Sequence, residues 1–332
     1  MHRIIIVALA AGAAAGCSKS PSGPSSSNPE TVLQGQTVNA IDGAAAASVS
    51  VRIGSRSAVM TDPNGLFEVE VGGPGTFDAT IRGTDVVERQ TTVVNPSQGR
   101  ARLSLIPASF DLTAFDEMFR ASNARLVRWT SRPALVVLGS VMEYRGGSDN
   151  QYTAASEQLS DAEVNEMIAH LTEGLALLTG NTFTTFETVE VERPASGTRV
   201  NAVRNGRIVV GRYEGIVTFA HTIGYGQWQE QSSGAVAAGA LFLDRDFDKD
   251  DGRRRLLRIH ELGHALGSLH VTSRRSIMNP SIGPEPTDFD RAAATIAFQR
   301  QPGNRSPDID PSVSGLFTVT SGEAQLKTVY CR

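Results

Sequence analysis

Three of the chain's six histidines fall within one eleven-residue window, His260-Glu261-Leu262-Gly263-His264-Ala265-Leu266-Gly267-Ser268-Leu269-His270. The window fits the spacing H-E-x-x-H-x-x-G-x-x-H at every fixed position. Read as a helix over residues 254–266, it puts His260 and His264 on one face, roughly 6 Å apart along the axis. Two imidazoles at that separation can close on a single ion. Glu261 is rotated by about 100° from His260, where a carboxylate can hold a water without displacing a histidine. Gly267 accepts the left-handed conformation that ends a helix and turns the chain sharply. The turn lets His270 swing back as a third ligand.

Three neutral imidazoles leave the double positive charge of zinc intact and one position open. A water there has its pKa lowered to about 7, from roughly 15.7 in bulk. Glu261 would take its proton as general base and deliver it to a departing amine as general acid. The ion would also polarise a scissile carbonyl and stabilise the tetrahedral oxyanion. The expected chemistry is peptide hydrolysis without a covalent intermediate.

The window resembles the zinc signature of the metzincin metallopeptidases, among them the matrixins, serralysins, astacins and adamalysins. The resemblance implies a turn with a methionine beneath the metal. Ser276-Ile277-Met278-Asn279-Pro280 offers it, with Met278 eight residues beyond His270. Residues 271–275 would then help line the pocket for the residue after the cleaved bond. The resemblance further implies an edge strand, ahead of the active-site helix, that pairs with extended substrate. Residues 235–243 take that place, with backbone bonds offered by Gly239, Ala240 and Leu241. Three departures stand out. Val271, after the third histidine, matches none of the common subfamily choices. Pro280 stands where astacins and serralysins carry a tyrosine, which is closer to the matrixin style. Matrixins and adamalysins are commonly held latent by a propeptide cysteine, and here only Cys17 precedes the window, so that device is absent.

The elements that must position these residues follow from patterning. Ser160-Asp161-Ala162-Glu163 is a capping box opening a helix whose Val164, Met167, Ile168, Leu171, Leu175 and Leu178 share one face. Gly180 stops it. Strands are predicted at 135–138, 188–192, 207–210, 216–219 and 235–243, and a closing amphipathic helix at 288–300. A mixed sheet above the zinc helix makes residues 108–303 an α+β catalytic domain. Ahead of it, residues 31–107 read as seven short alternating strands, a small all-β sandwich. Asp62-Pro63-Asn64-Gly65 is a turn in which Pro fixes φ and Gly accepts positive φ. Residues 61–67, with the Gly-rich turn and residues 76–81 after them, resemble the carboxypeptidase regulatory-like, transthyretin-like domain. That resemblance implies a structural or binding accessory. The tail, 304–332, is Pro-rich and then apolar at Leu316, Phe317 and Val319, with no assigned role.

Arg3, an apolar stretch over 4–15 and the small residues Ala14-Ala15-Gly16 precede Cys17. This resembles the lipobox of bacterial lipoproteins and implies that residues 1–17 are a signal with Cys17 lipidated. The apolar run is shorter than the about 20 residues that a membrane span needs. Residues 18–30, rich in Ser, Pro and Gly, would be a tether of up to ~40 Å at about 3.3 Å per residue. The expected place is the cell envelope, at the outer membrane of a Gram-negative cell because Ser18 is not the retention residue. The alternative is an ordinary cleaved signal and secretion. Cys331, the other cysteine, reads as incidental.

A chain of 332 residues with 40% hydrophobic content can bury two cores. A net charge of −4 without a basic block argues against nucleic acid. The acidic run Asp244, Asp246, Asp248, Asp250 and Asp251 looks calcium-like. However, Gly252 comes one place late and Leu257 stands where the closing glutamate belongs. It reads as a solvated acidic loop, with Ca2+ as the alternative. His170 and His221 read as structural or surface residues. Two functions stay open. One is a lipid-anchored zinc endopeptidase acting on peptide or protein substrates, or narrowly on one envelope protein. The other is an inactive, metzincin-like surface binding protein with a structural or vestigial metal site.

Overall fold

A computed structural model describes residues 31–96, 99–121, 124–146, 149–311 and 324–331. The signal, Cys17 and the tether lie outside the described residues.

The first unit holds β1 (Val32–Asn39), β2 (Ser50–Ile53), β3 (Val59–Met60), β4 (Leu66–Glu70), β5 (Thr76–Arg82), β6 (Arg89–Val94) and β7 (Ala101–Leu105). They form two sheets, ordered β4-β1-β7 and β3-β2-β5-β6. Alternate residues point inward, so Leu33, Val51, Ile53, Phe67, Ile81 and Leu103 make one core between the sheets. The turn after β3 closes as expected: Asp62 Oδ1 accepts from the amides of Asn64 and Leu66.

The second unit contains α1 (Leu112–Phe119), β8 (Ala134–Leu138), β9 (Ser140–Glu143), β10 (Gln151–Gln158), α2 (Asp161–Leu178), β11 (Val189–Glu192), β12 (Arg199–Asn201) and β13 (Arg207–Glu214). It continues with α3 (Ile216–Ala220), β14 (Gly224–Glu230), β15 (Val236–Asp244), α4 (Arg245–Asp250), α5 (Arg254–Ala265), α6 (Asp288–Phe298) and β16 (Gln325–Cys331). Nine strands form one mixed sheet, β12-β10-β9-β13-β15-β14-β16, with β8 also beside β13 and β11 beyond β8. β13 is parallel to β8 and β15, whereas β14 runs antiparallel to β15 and β16 antiparallel to β14. Both faces of the sheet are covered, which is why β8 is apolar and buried at every residue. One face packs Leu135, Val137 and Leu241 against helices α1, α2, α5 and α6. The other packs Val136, Tyr152, Tyr213, Tyr225 and Phe242 into an aromatic core. The fold is thus α+β.

Several expectations are corrected. Residues 216–219 form α3, a helix, because a four-residue apolar run carries no period and Gly215 (φ +96°) turns the chain just before it. The acidic run is not a solvated loop: it folds into α4, and Asp248 is fully buried between Arg212 and Arg258. The tail has no assigned role in the sequence, and its described residues, 304–311 and 324–331, pack on the two units. Asp308 holds Arg300 through two hydrogen bonds and Asp310 pairs with Arg89 of β6, tying the units together. Its residues 325–331, as β16, complete the main sheet.

Candidate metal centre

The helix α5 carries His260, Glu261 and His264, and residues 257–265 of it are all buried. Leu257, Ile259, Leu262 and Ala265 join the helical face of the main core, which leaves the two histidines and the glutamate to face the sheet edge. Close approach to β14 requires a residue without a side chain. A Cβ on Gly226 would lie 2.4 Å from His264 Cβ and 2.7 Å from the Glu261 carbonyl. Gly226→Ala is therefore expected to cost about 1–3 kcal/mol through overpacking. It should also weaken metal binding by pushing α5 off the sheet. Denaturant melts check this, and a melt indistinguishable from wild type would contradict it.

Gly267 (φ +103°) ends the helix, and the returning chain brings His270 to the other two imidazoles. The three Nε2 atoms lie 3.0, 3.2 and 3.3 Å apart. Ligands set tetrahedrally at about 2.0–2.1 Å from one zinc ion sit roughly 3.3 Å from each other. The other ring nitrogens settle the protons. Nδ1 of His260 donates to the Ile277 carbonyl (2.7 Å) and Nδ1 of His264 to the Ser268 carbonyl (2.8 Å). A carbonyl can only accept, so in the neutral rings both Nε2 atoms carry lone pairs. Those lone pairs converge, which is unfavourable without a cation among them. The donor set fits a metal, and the triad could hold one.

Burial keeps the triad neutral. It pulls His260 down to about 4 and His264 well below the ordinary 6.5, where the two neighbouring imidazoles add repulsion; it lowers His270 as well. Between 6.5 and 4 the unfolded chain takes up protons that the folded triad refuses, so the metal-free fold loses stability as pH falls through that window. Bound metal should survive acidification through pH 6.5 and leave only towards pH 4, as read by metal content across a pH series. A release midpoint at 6.5 would contradict this.

Met278 is buried beneath the helix. A Cβ on Gly263 would stand 2.4 Å from its Sδ, so that glycine makes room for the methionine between the two helical histidines. The turn around it is pinned by residues that the spacing did not reveal. The buried Asp290 on α6 accepts from the Ser276 hydroxyl, the Ile277 amide (3.1 Å) and the Thr287 amide (2.7 Å). Val271 donates to the Met278 carbonyl and Asn279 to the Val271 carbonyl. Glu117 on α1 accepts from the amides of Thr272 and Ser273 and from both hydroxyls, which hold it below the ordinary carboxylate range. Residues 271–275 are thus anchored at both ends.

Glu261 is fully buried, and among the described residues neither carboxylate oxygen has a partner at ordinary hydrogen-bond distance, the Cys331 thiol being the neighbour that favours its charged form. Burial pushes it well above the ordinary carboxylate range. A Cβ on Gly224 would lie 3.1 Å from its Oε1, so β14 passes directly over it. Across from Gly224 in the β14–β16 ladder stands Cys331. Its Sγ, a Glu261 oxygen and a His260 ring nitrogen all lie within 4.8 Å of one another. No feature of the sequence pointed to Cys331, since a single cysteine has no visible partner.

The expectation that Gly239, Ala240 and Leu241 form a substrate edge is corrected. β15 is interior, paired with β13 through Ile208, Val209 and Val210 and with β14 through Trp228, Gln227 and Gly226. Gly239 instead gives α5 clearance, for its Cβ would meet the Ala265 carbonyl at 2.8 Å. The strand next to the triad is β14. Of the discounted histidines, His170 contacts Arg258 (3.0 Å) and His221 caps α3; neither lies with the triad in a group that could hold a metal. Nor does any such group among the described residues include the acidic run. The chain matches no family model, and no curated protein matches it significantly.

Proposed function

We propose that the chain is a zinc-dependent endopeptidase of metzincin type, anchored at a bacterial cell envelope through Cys17. The observation that carries this reading is a fully buried glutamate, with no partner at ordinary hydrogen-bond distance and only the Cys331 thiol near it, beside three imidazoles whose unprotonated nitrogens converge. Buried polar groups are almost always satisfied, and such an exception points to chemistry done by the group.

His260, His264 and His270 would hold the ion. When bound, zinc supplies a Lewis acid that acidifies a water and polarises a carbonyl. Glu261 contributes proton transfer. It would accept a proton at Oε1 or Oε2 and return it to an amine leaving group. The carbonyls of Ile277 and Ser268 fix the ring orientations, which keeps the three donor atoms convergent. β14 offers a strand along which an extended peptide could lie past Glu261. Met278 fills the floor below the rings.

A second reading has one observation in its favour. Cys331, His260 and Glu261 form a second group that could hold a metal by protein ligands alone, which is the pattern of a structural metal in a binding protein, although no such group joins Cys331 to all three histidines. The test is cleavage of a mixed peptide library by the zinc-loaded chain, before and after chelation, with zinc then restored. Chelator-sensitive cleavage supports the peptidase. Stoichiometric zinc without cleavage, in the full chain and in a chain ending at residue 323, supports the binding protein.

A further inference from the structure

The strand β14 has two edges. One pairs with β15, and the other is covered along its whole length by β16 in a seven-pair antiparallel ladder, from Gly224↔Cys331 to Glu230↔Gln325. β16 is therefore seated where an extended peptide would add to the sheet beside the histidine triad. It is also held as a peptide would be, mostly by its main chain. Gln325, Leu326 and Tyr330 are exposed, Lys327, Thr328 and Val329 are half-buried, and Cys331 alone is buried. The contacts along the ladder are modest: Gln227 donates to the Thr328 hydroxyl (3.0 Å), and the rings of Tyr225 and Tyr330 lie 5.1 Å apart.

The buried end is the part that meets the site. Thr222 donates through its hydroxyl to the Cys331 carbonyl, and the thiol faces the Pro280 carbonyl across the cleft (3.7 Å). The same Sγ lies within 4.8 Å of a Glu261 oxygen and a His260 nitrogen. Cys331 is thus buried beside Glu261, whose carboxylate is itself fully buried.

We propose that β16 is a built-in occupant of the substrate cleft, with Cys331 seated against Glu261 and His260, so that the chain rests in a latent form and cleaves only when β16 leaves. This rests on the peptidase reading. No covalent step is needed: the ladder between β14 and β16 opens, and a substrate strand takes the vacated edge.

The test compares the full chain with a chain ending at residue 323 and with Cys331→Ser, each first assayed for zinc. Removing β16 should raise cleavage of a mixed peptide library at least about tenfold, the gain expected when nine chains in ten are closed. Cys331→Ser should give a smaller rise, since the ladder remains. A second measurement does not depend on turnover. In full-length Glu261→Gln, saturating library peptide should speed alkylation of Cys331 by iodoacetamide about tenfold by the same population shift, read by mass. If the shortened chain holds zinc and cleaves no faster, and peptide leaves alkylation unchanged, β16 is a fixed structural strand and the proposal is overturned while the peptidase reading stands. If no chain binds zinc, the peptidase reading fails first. Where the two arms differ, or where the shortened chain does not fold, the alkylation result on the full chain decides.

Discussion

Glu261→Gln should reduce peptide cleavage by about 10³-fold or more, in line with the loss of a general acid–base, while zinc content and melting behaviour stay near wild type. The side chain is isosteric, and its neighbours explain why the fold should tolerate it. Apart from the Cys331 thiol, the carboxylate has no hydrogen-bond partner among the described residues, and an amide can still face that thiol. The assay is best run on the chain ending at residue 323 beside the same truncation of wild type, so that a covered cleft does not mask the difference. Cleavage within a few fold of wild type would remove Glu261 from the mechanism.

Asp248→Ala should be the most damaging change outside the triad, costing about 3–5 kcal/mol. Asp248 Oδ2 receives Arg212 Nε at 2.6 Å and Arg258 Nη2 at 2.9 Å, and Oδ1 receives Arg258 Nε at 2.7 Å. All three side chains are almost wholly buried. Removing the carboxylate leaves two buried guanidinium groups without their shared counter-ion, Arg212 keeping only the half-exposed Glu163 and Arg258 only the half-exposed Glu166. The consequence reaches the site because Arg258 sits two residues before His260 on α5, while Arg212 belongs to the central strand β13. Zinc affinity should therefore fall along with stability. Asp248→Asn, which keeps the shape and an acceptor, should lose less. Equilibrium unfolding in denaturant measures both, and a loss below about 1 kcal/mol for the alanine variant would show that the pair contributes little.

What the sequence disclosed and what it hid divide along the range of the interactions involved. The triad spacing, the Gly267 break and the capping box at Ser160 and Glu163 are decided within a few residues, and each appears in the structure where the pattern put it. β14 left no mark, because Gly224-Tyr225-Gly226-Gln227 lacks the alternation of a half-buried strand. Its glycines are there to admit α5, a demand made by a helix that comes some 40 residues later. With β14 unseen, β15 is the strand the pattern offers as the edge, and it lies one position inward from the strand beside the triad. β16 was equally hidden, since its pairing spans about 100 residues and its side chains bury little. Asp248 looked solvated because charge runs usually are; only the arrival of Arg212 and Arg258 from distant elements makes its burial affordable. Asp290 and Glu117 belong to the same class, carboxylates whose work is to hold a loop that folds back from elsewhere.

In the reading proposed above, His260, His264 and His270 together hold one zinc ion. Metal content by mass spectrometry of the protein refolded with zinc and desalted at neutral pH tests it most directly, on wild type, Glu261→Gln and His264→Ala. One zinc per chain is expected in the first two and loss of stoichiometric zinc in the third. A wild-type chain that retains no zinc, or a His264→Ala chain that retains as much as wild type, would contradict it.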